Sequence, residues 1–195
     1  MLDTNLKSSE IFTRRRCPVN SPEVIQSLEQ VEAPALEVAP GKAILDACCG
    51  SRMFWFDKNH PAAIYQDIRE EEHTLCDDRK LIVKPDVVAD FRDMPYVDNS
   101  FKLVVFDPPH LKQLGRETWM AKKYGVLLPT WELDIKAGFD ECMRVLEPSG
   151  VLIFKWNEIQ IKLTQVLELI PYKPLFGHTT GKHGRTIWLT FMKGI

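Results

Sequence analysis

The sequence predicts an α/β fold, a doubly wound and mostly parallel sheet of seven strands with an antiparallel C-terminal strand. Three observations predict it. Short apolar runs alternate with stretches of helical period from residue 42 onward. The runs are apolar at nearly every position, as in strands covered on both faces. The last two flank a glycine-rich turn, which suits an antiparallel ending. Such alternation implies parallel strands joined by right-handed crossovers.

Taken in order, the residues before about 40 read as an N-terminal appendage with a short helix: "NSPEVIQSLEQV" offers Ser21 as N-cap and Pro22 at the first helical position. The run Arg14-Arg15-Arg16 precedes it as a basic arm or a solvated terminus. Strands are expected at 42–47, 62–67, 85–90, 101–107 and 150–156. Residues 131–146 form a helix with its stripe at Trp131, Ile135, Phe139, Cys142, Met143 and Leu146. Residues 157–170 repeat the pattern with Ile159, Leu163, Val166, Leu167 and Ile170. The tail "YKPLFGHTTGKHGRTIWLTFMK" supplies the last two strands. The first four strands end at acids, Asp46, Asp67, Asp90 and Asp107, on the sheet edge where ligands bind in such folds.

At 195 residues the chain is expected to be one domain, 1–195. No apolar run reaches membrane-spanning length and the N-terminus lacks a signal-peptide hydrophobic region, so a cytoplasmic protein with no membrane contact is expected. Five cysteines without a CxxC pair fit reduced thiols and offer no zinc spacing, and His178 and His183 read as surface or substrate-side residues; no metal is expected. Net charge is only −2, yet its distribution is uneven. Residues 67–98 hold ten acids against five bases, whereas residues 111–130 hold four bases and one acid. From residue 171 to the end there are four bases and no acid. One edge is then either locally basic or a pair of solvated loops.

In "ILDACCGSRMF", Asp46 is followed by Ala47, Cys48, Cys49, Gly50 and Ser51, small residues that let a backbone approach a ligand closely. Asp67 follows twenty-one residues after Asp46, at the distance where an acid accepts from ribose hydroxyls. The absence of GxGxxG argues against a dinucleotide and leaves a nucleotide-dependent oxidoreductase remote. The chain resembles a class I S-adenosylmethionine-dependent methyltransferase from about Lys42 to Met192. "DACCGS" is similar to that family's first motif, "DFRDMPYVDNSFKLVVFD" to the stretch after its third strand, and "RVLEPSGVLIF" to its R-V-L-K-P-G-G run. The resemblance implies a Rossmann-like fold and S-adenosylmethionine as cofactor. It implies Asp46, Cys48, Gly50 and Ser51 around the methionine moiety, Asp67 at the ribose, and Asp90 with Phe91 at the adenine. Two positions depart: Cys48 replaces the first glycine and Arg52 the third. Arg52 either contacts the cofactor carboxylate or substrate, or caps the following helix against a carboxylate.

Asp107-Pro108-Pro109-His110 resembles the D/N-P-P-aromatic signature of enzymes that methylate the exocyclic amine of adenine or cytosine. An exocyclic amine is a poor nucleophile because its lone pair is delocalised into the ring. A carboxylate and a proline carbonyl, both accepting its N–H groups, favour a pyramidal nitrogen. The prolines fix φ and bring no competing donor. The fourth residue stacks on the extruded base, and here it is His110 rather than Tyr, Phe or Trp. The basic, aromatic stretch 111–131 and "GHTTGKHGR" would flank the site. The expected partner is a nucleic acid substrate, DNA or RNA; with no recognition domain evident, that leaves a non-selective DNA enzyme, an RNA enzyme, or one that borrows specificity from a partner protein. A small-molecule or protein amine is the alternative acceptor. The alternative of another class is a non-catalytic module that binds S-adenosylmethionine or nucleic acid.

Overall fold

The computed structural model describes residues 35–75, 77–115, 118–180 and 183–195. The expected helix at Ser21-Pro22, the arginines 14–16, Cys17 and Cys76 lie outside the described residues. The strands are β1 (Ile44–Asp46), β2 (Ala63–Asp67), β3 (Glu71–Thr74), β4 (Lys80–Val83), β5 (Val87–Val88), β6 (Phe101–Phe106), β7 (Leu146–Asn157), β8 (Phe176–Thr180) and β9 (Thr186–Met192). The helices are α1 (Trp119–Tyr124), α2 (Trp131–Val145) and α3 (Leu163–Leu167). Seven strands form one sheet in the order β5-β2-β1-β6-β7-β9-β8, parallel except that β9 runs antiparallel to both its neighbours. The expected mixed sheet is thus present. The chain winds outward from β1 through β2 to β5 and returns to the other side of β1 as β6. That reversal opens a crevice beyond the carboxyl ends of β1 and β6, the position at which open α/β sheets take ligands.

One face of the sheet is packed by α2. Its stripe buries Trp131, Ile135, Phe139, Cys142 and Met143 against Val104, Phe106, Leu152, Phe154 and Phe191. Phe139 lies at its centre, 4.7 Å from the Phe154 ring and 5.6 Å from that of Phe106. At Gly138 a Cβ would come within 2.6 Å of Phe106 and 2.7 Å of Phe91, so glycine is what lets the helix lie close to β6.

The first half of the fold departs from strand–helix alternation. Among the described residues, 51–62 carry β1 to β2 through turns alone, and β2 to β5 passes through the β3–β4 hairpin instead of a helix. The segment "SRMFWFDKNHP" has no 3.6-residue apolar period and stops at Pro61. Arg52 replaces the missing helix as a staple. Its guanidinium lies 3.7 Å over the Tyr65 ring and donates to the carbonyls of Lys58 (2.7 Å) and Lys84 (2.8 Å) and to Asp86 Oδ1 (3.2 Å). Among the described residues no helix follows for Arg52 to cap, and it does not line the cavity beyond β1 and β6; its role in the structure is to hold the turns to the β4–β5 link. The helix expected over 157–170 shortens to α3, and Ile159 is exposed while Ile161 takes a buried place.

Candidate active site

Three loops at the carboxyl ends of β1, β2 and β6 wall one cavity. Of the eleven candidate residues, nine line it: Cys48, Gly50, Ser51, Asp67, Phe91, Asp107, Pro108, Pro109 and His110. Ala47, Met53, Phe54, Ile68, Arg69, Lys123 and Tyr124 complete the wall. Gly50 and Arg52 both hold left-handed φ, +48° and +54°. Arg52 thus keeps the conformation that a third glycine would adopt freely, at a cost of about 1–2 kcal/mol for a residue with a Cβ.

Asp46 and Asp90 do not line the cavity. Asp46 is fully buried, with Oδ2 accepting from Trp55 Nε1 (2.7 Å) and Oδ1 from the Cys48 amide (3.4 Å). Burial, opposed by the Trp55 bond, pushes its carboxyl up to about 7. Through these bonds it braces the turn after β1. Asp90 is held by Arg92, which donates from its backbone N–H (2.9 Å), Nε (3.0 Å) and Nη2 (2.5 Å) and also reaches Asp134 (2.9 Å). That pair turns Asp90 toward α2 and leaves Phe91 on the cavity side.

Asp67 accepts the Gly50 amide at Oδ2 (2.9 Å) and the Arg69 amide and Nε at Oδ1 (3.0 and 3.1 Å). Arg69 Nη1 continues to Glu71 (3.1 Å) and to the carbonyl of Lys122 in α1 (2.8 Å). The sequence reading missed Arg69, although an Asp-x-Arg spacing recurs at 67–69, 77–79 and 90–92. In each, the arginine backbone N–H and Nε donate to the preceding acid. Burial and the nearby carboxylates Asp67 and Asp46 push the Cys48 thiol up, and burial pushes Cys49 up to about 12, so both remain thiols at neutral pH.

On the β6 side, Asp107 forms an ion pair with Lys155 of β7. Burial raises the Asp107 carboxyl and Lys155 opposes that. His110 lies 6.0 Å from the Tyr124 ring and 6.3 Å from the Trp156 ring. Burial first, and Lys155 second, push the imidazole down to about 4, so it is neutral near pH 7. From the segment after this corner, Lys123 and Tyr124 of α1 reach the cavity wall. Thr118 caps α1 through its Oγ1 (3.2 Å to the Ala121 amide), and Gly125 ends it with φ +73°, where a Cβ would meet Pro109 at 2.9 Å. Lys123 lies 5.1 Å over the Tyr124 ring and Lys112 lies 5.0 Å over Trp131, and neither has a carboxylate partner among the described residues. Among the described residues, no three His, Cys, Asp or Glu side chains are grouped to hold a metal, and no helix is long and apolar enough to cross a membrane.

No protein-family model and no curated protein matches the chain. Solved structures do. The PH0226 protein from Pyrococcus horikoshii OT3 superposes with a TM-score of 0.53 at 17% identity, over 77% of this chain and 81% of that one. The fold is Rossmann-like. A TehB-like SAM-dependent methyltransferase from Corynebacterium glutamicum superposes with a TM-score of 0.49 at 14% identity, over 80% of this chain and 82% of that one.

Proposed function

We propose that the protein transfers a methyl group from S-adenosylmethionine to an amino nitrogen, the exocyclic amine of adenine in a nucleic acid. The observation that carries this reading is the common cavity: Asp107-Pro108-Pro109 forms one wall, and Gly50, Ser51, Asp67 and Phe91 form the other. The residues fit the cofactor. At Gly50 a Cβ would meet nothing within 4 Å, so the backbone lies open to a ligand. Asp67 offers a carboxylate to ribose hydroxyls, Phe91 and Ile68 offer apolar walls, and the Asp67 and Asp107 carboxylates suit a cationic sulfonium. When bound, the cofactor supplies an electrophilic methyl group; the chain's own task is to hold the amine in line and exclude water.

Asp107 accepts one N–H of the amine and the Pro108 carbonyl the other, while the neutral His110 ring and Tyr124 give the base apolar faces. Lys112 and Lys123 over aromatic rings suit a phosphodiester strand carrying that base. A second reading, a module that binds without turnover, draws on Arg69, which already occupies Asp67.

The test is incubation with methyl-labelled S-adenosylmethionine and separate pools of DNA, RNA, protein and small metabolites. Label is expected in nucleic acid as N6-methyladenine, with Asp107→Ala slower by about 100-fold or more, the scale of losing a preorganised polar contact. Label in protein or metabolites alone would replace the substrate, and equal labelling by Asp107→Ala would remove the corner from the chemistry. Cofactor binding by calorimetry with no labelled pool would leave the module reading standing.

A further inference from the structure

Lys155 is the one cation on β7, a strand with one buried face. Its neighbours Phe154 and Trp156 are fully buried on the α2 side, so alternation turns Lys155 to the opposite face. There its ammonium meets Asp107 Oδ2 at the end of the adjacent parallel strand. The Phe54 ring stands 5.5 Å from Nζ and the Trp188 ring 5.6 Å, and Phe54 and Trp188 themselves meet edge to face at 5.6 Å. Carboxylate and aromatic faces together hold the ammonium in one place. Lys155 does not line the cavity but Asp107 does, so the cation stands behind the acid as seen from the ligand side. Among the described residues, Asp107 Oδ1 receives no hydrogen bond, and it is the oxygen left for a ligand.

We propose that Lys155 is a positioning residue: by binding Asp107 Oδ2 from behind, it leaves Oδ1 as a single, fixed and ionised acceptor for the substrate amine. The inference rests on the methyl-transfer reading above. The other groups that face Asp107 argue for the same role. From β1 come the Asp46 carboxylate and the Cys48 thiol, and from its own segment comes the uncharged His110. None of these supplies positive charge, and Asp46 adds repulsion when ionised. Without Lys155 the half-buried Asp107 would take a proton more readily, and its O–H would donate where the chemistry needs an acceptor.

The test is a carbon-13 NMR titration of the full chain labelled at aspartate carboxyls, with Asp107 assigned by Asp107→Asn. Lys155→Met is expected to raise the Asp107 midpoint by about one to three pH units, the effect of a close opposite charge. Lys155→Gln, which keeps an N–H donor but no charge, is expected to do the same, and Lys155→Arg to stay near wild type. Thermal melts and calorimetry with S-adenosylhomocysteine select the variants that remain folded with an intact cofactor site. On whichever pool the wild type labels, the acid limb of the methyl-transfer profile should move up with the midpoint in Lys155→Met and Lys155→Gln. An unmoved Asp107 midpoint, or a uniform loss of rate at every pH, overturns the inference and leaves the methyl-transfer reading intact. A wild type that labels no pool overturns that reading instead, whatever the titration gives.

Discussion

His110 and Asp46 put opposite pH slopes into one small region. The unfolded imidazole titrates near about 6.5, whereas the native one is pushed down to about 4. Between those values the unfolded chain takes up a proton that the native state refuses. The stability that neutral His110 contributes is present above pH 6.5 and is lost as pH falls toward 4. Asp46 runs the other way. Its native carboxyl is raised to about 7 from 3.8, so its contribution is present below pH 3.8 and is lost as pH rises through 7. Denaturant unfolding between pH 4 and 8 is therefore expected to show a shallower acid-side fall for His110→Phe. Asp46→Asn should show a smaller loss from pH 5 to 8. Residue identity made the acids legible: Asp46, Asp67, Asp90 and Asp107 all stand at or just beyond strand ends. Their partners were harder to read. Arg69 and Arg92 were within reach through the Asp-x-Arg spacing. Lys155 is the one charge in "GVLIFKW", and nothing local links Trp55 to Asp46.

At the scale of elements, α2 was legible because its apolar stripe is long and regular, and the sequence reading of 131–146 differs from the helix by one residue. The sequence also foretold the final antiparallel strands. It did not foretell turns between β1 and β2 or the β3–β4 hairpin, because the fold family's alternation was extended across a stretch with no helical period of its own. Two substitutions probe these elements. Gly138→Ala forces a methyl group against Phe106 and Phe91 and is expected to cost about 1–3 kcal/mol in denaturant unfolding. It should also weaken S-adenosylhomocysteine binding, since Phe91 lines the cavity. Arg52→Met breaks the staple between the 51–60 turns and the β4–β5 link. An expected loss of about 1.5–3 kcal/mol follows from leaving its acceptors unpaired, with little change in cofactor affinity because Arg52 lies off the cavity.

The whole molecule combines a net charge of −2 with two lysines set against aromatic rings, Lys112 at Trp131 and Lys123 at Tyr124, the second pair lining the cavity. Local charge, not the total, decides how such a surface meets a polyanion. Binding of single-stranded oligonucleotide is expected to weaken with added salt, and Lys112→Ala and Lys123→Ala should each reduce the slope of log affinity against log salt by up to about 0.7. A sequence-independent affinity with no salt dependence would refute the phosphate contact.

Arg69 ties two walls of the cavity together. The same guanidinium holds Asp67 and the carbonyl of Lys122, so the loop after β2 and α1 are fastened to each other through one side chain. Loss of that one side chain would part both attachments together.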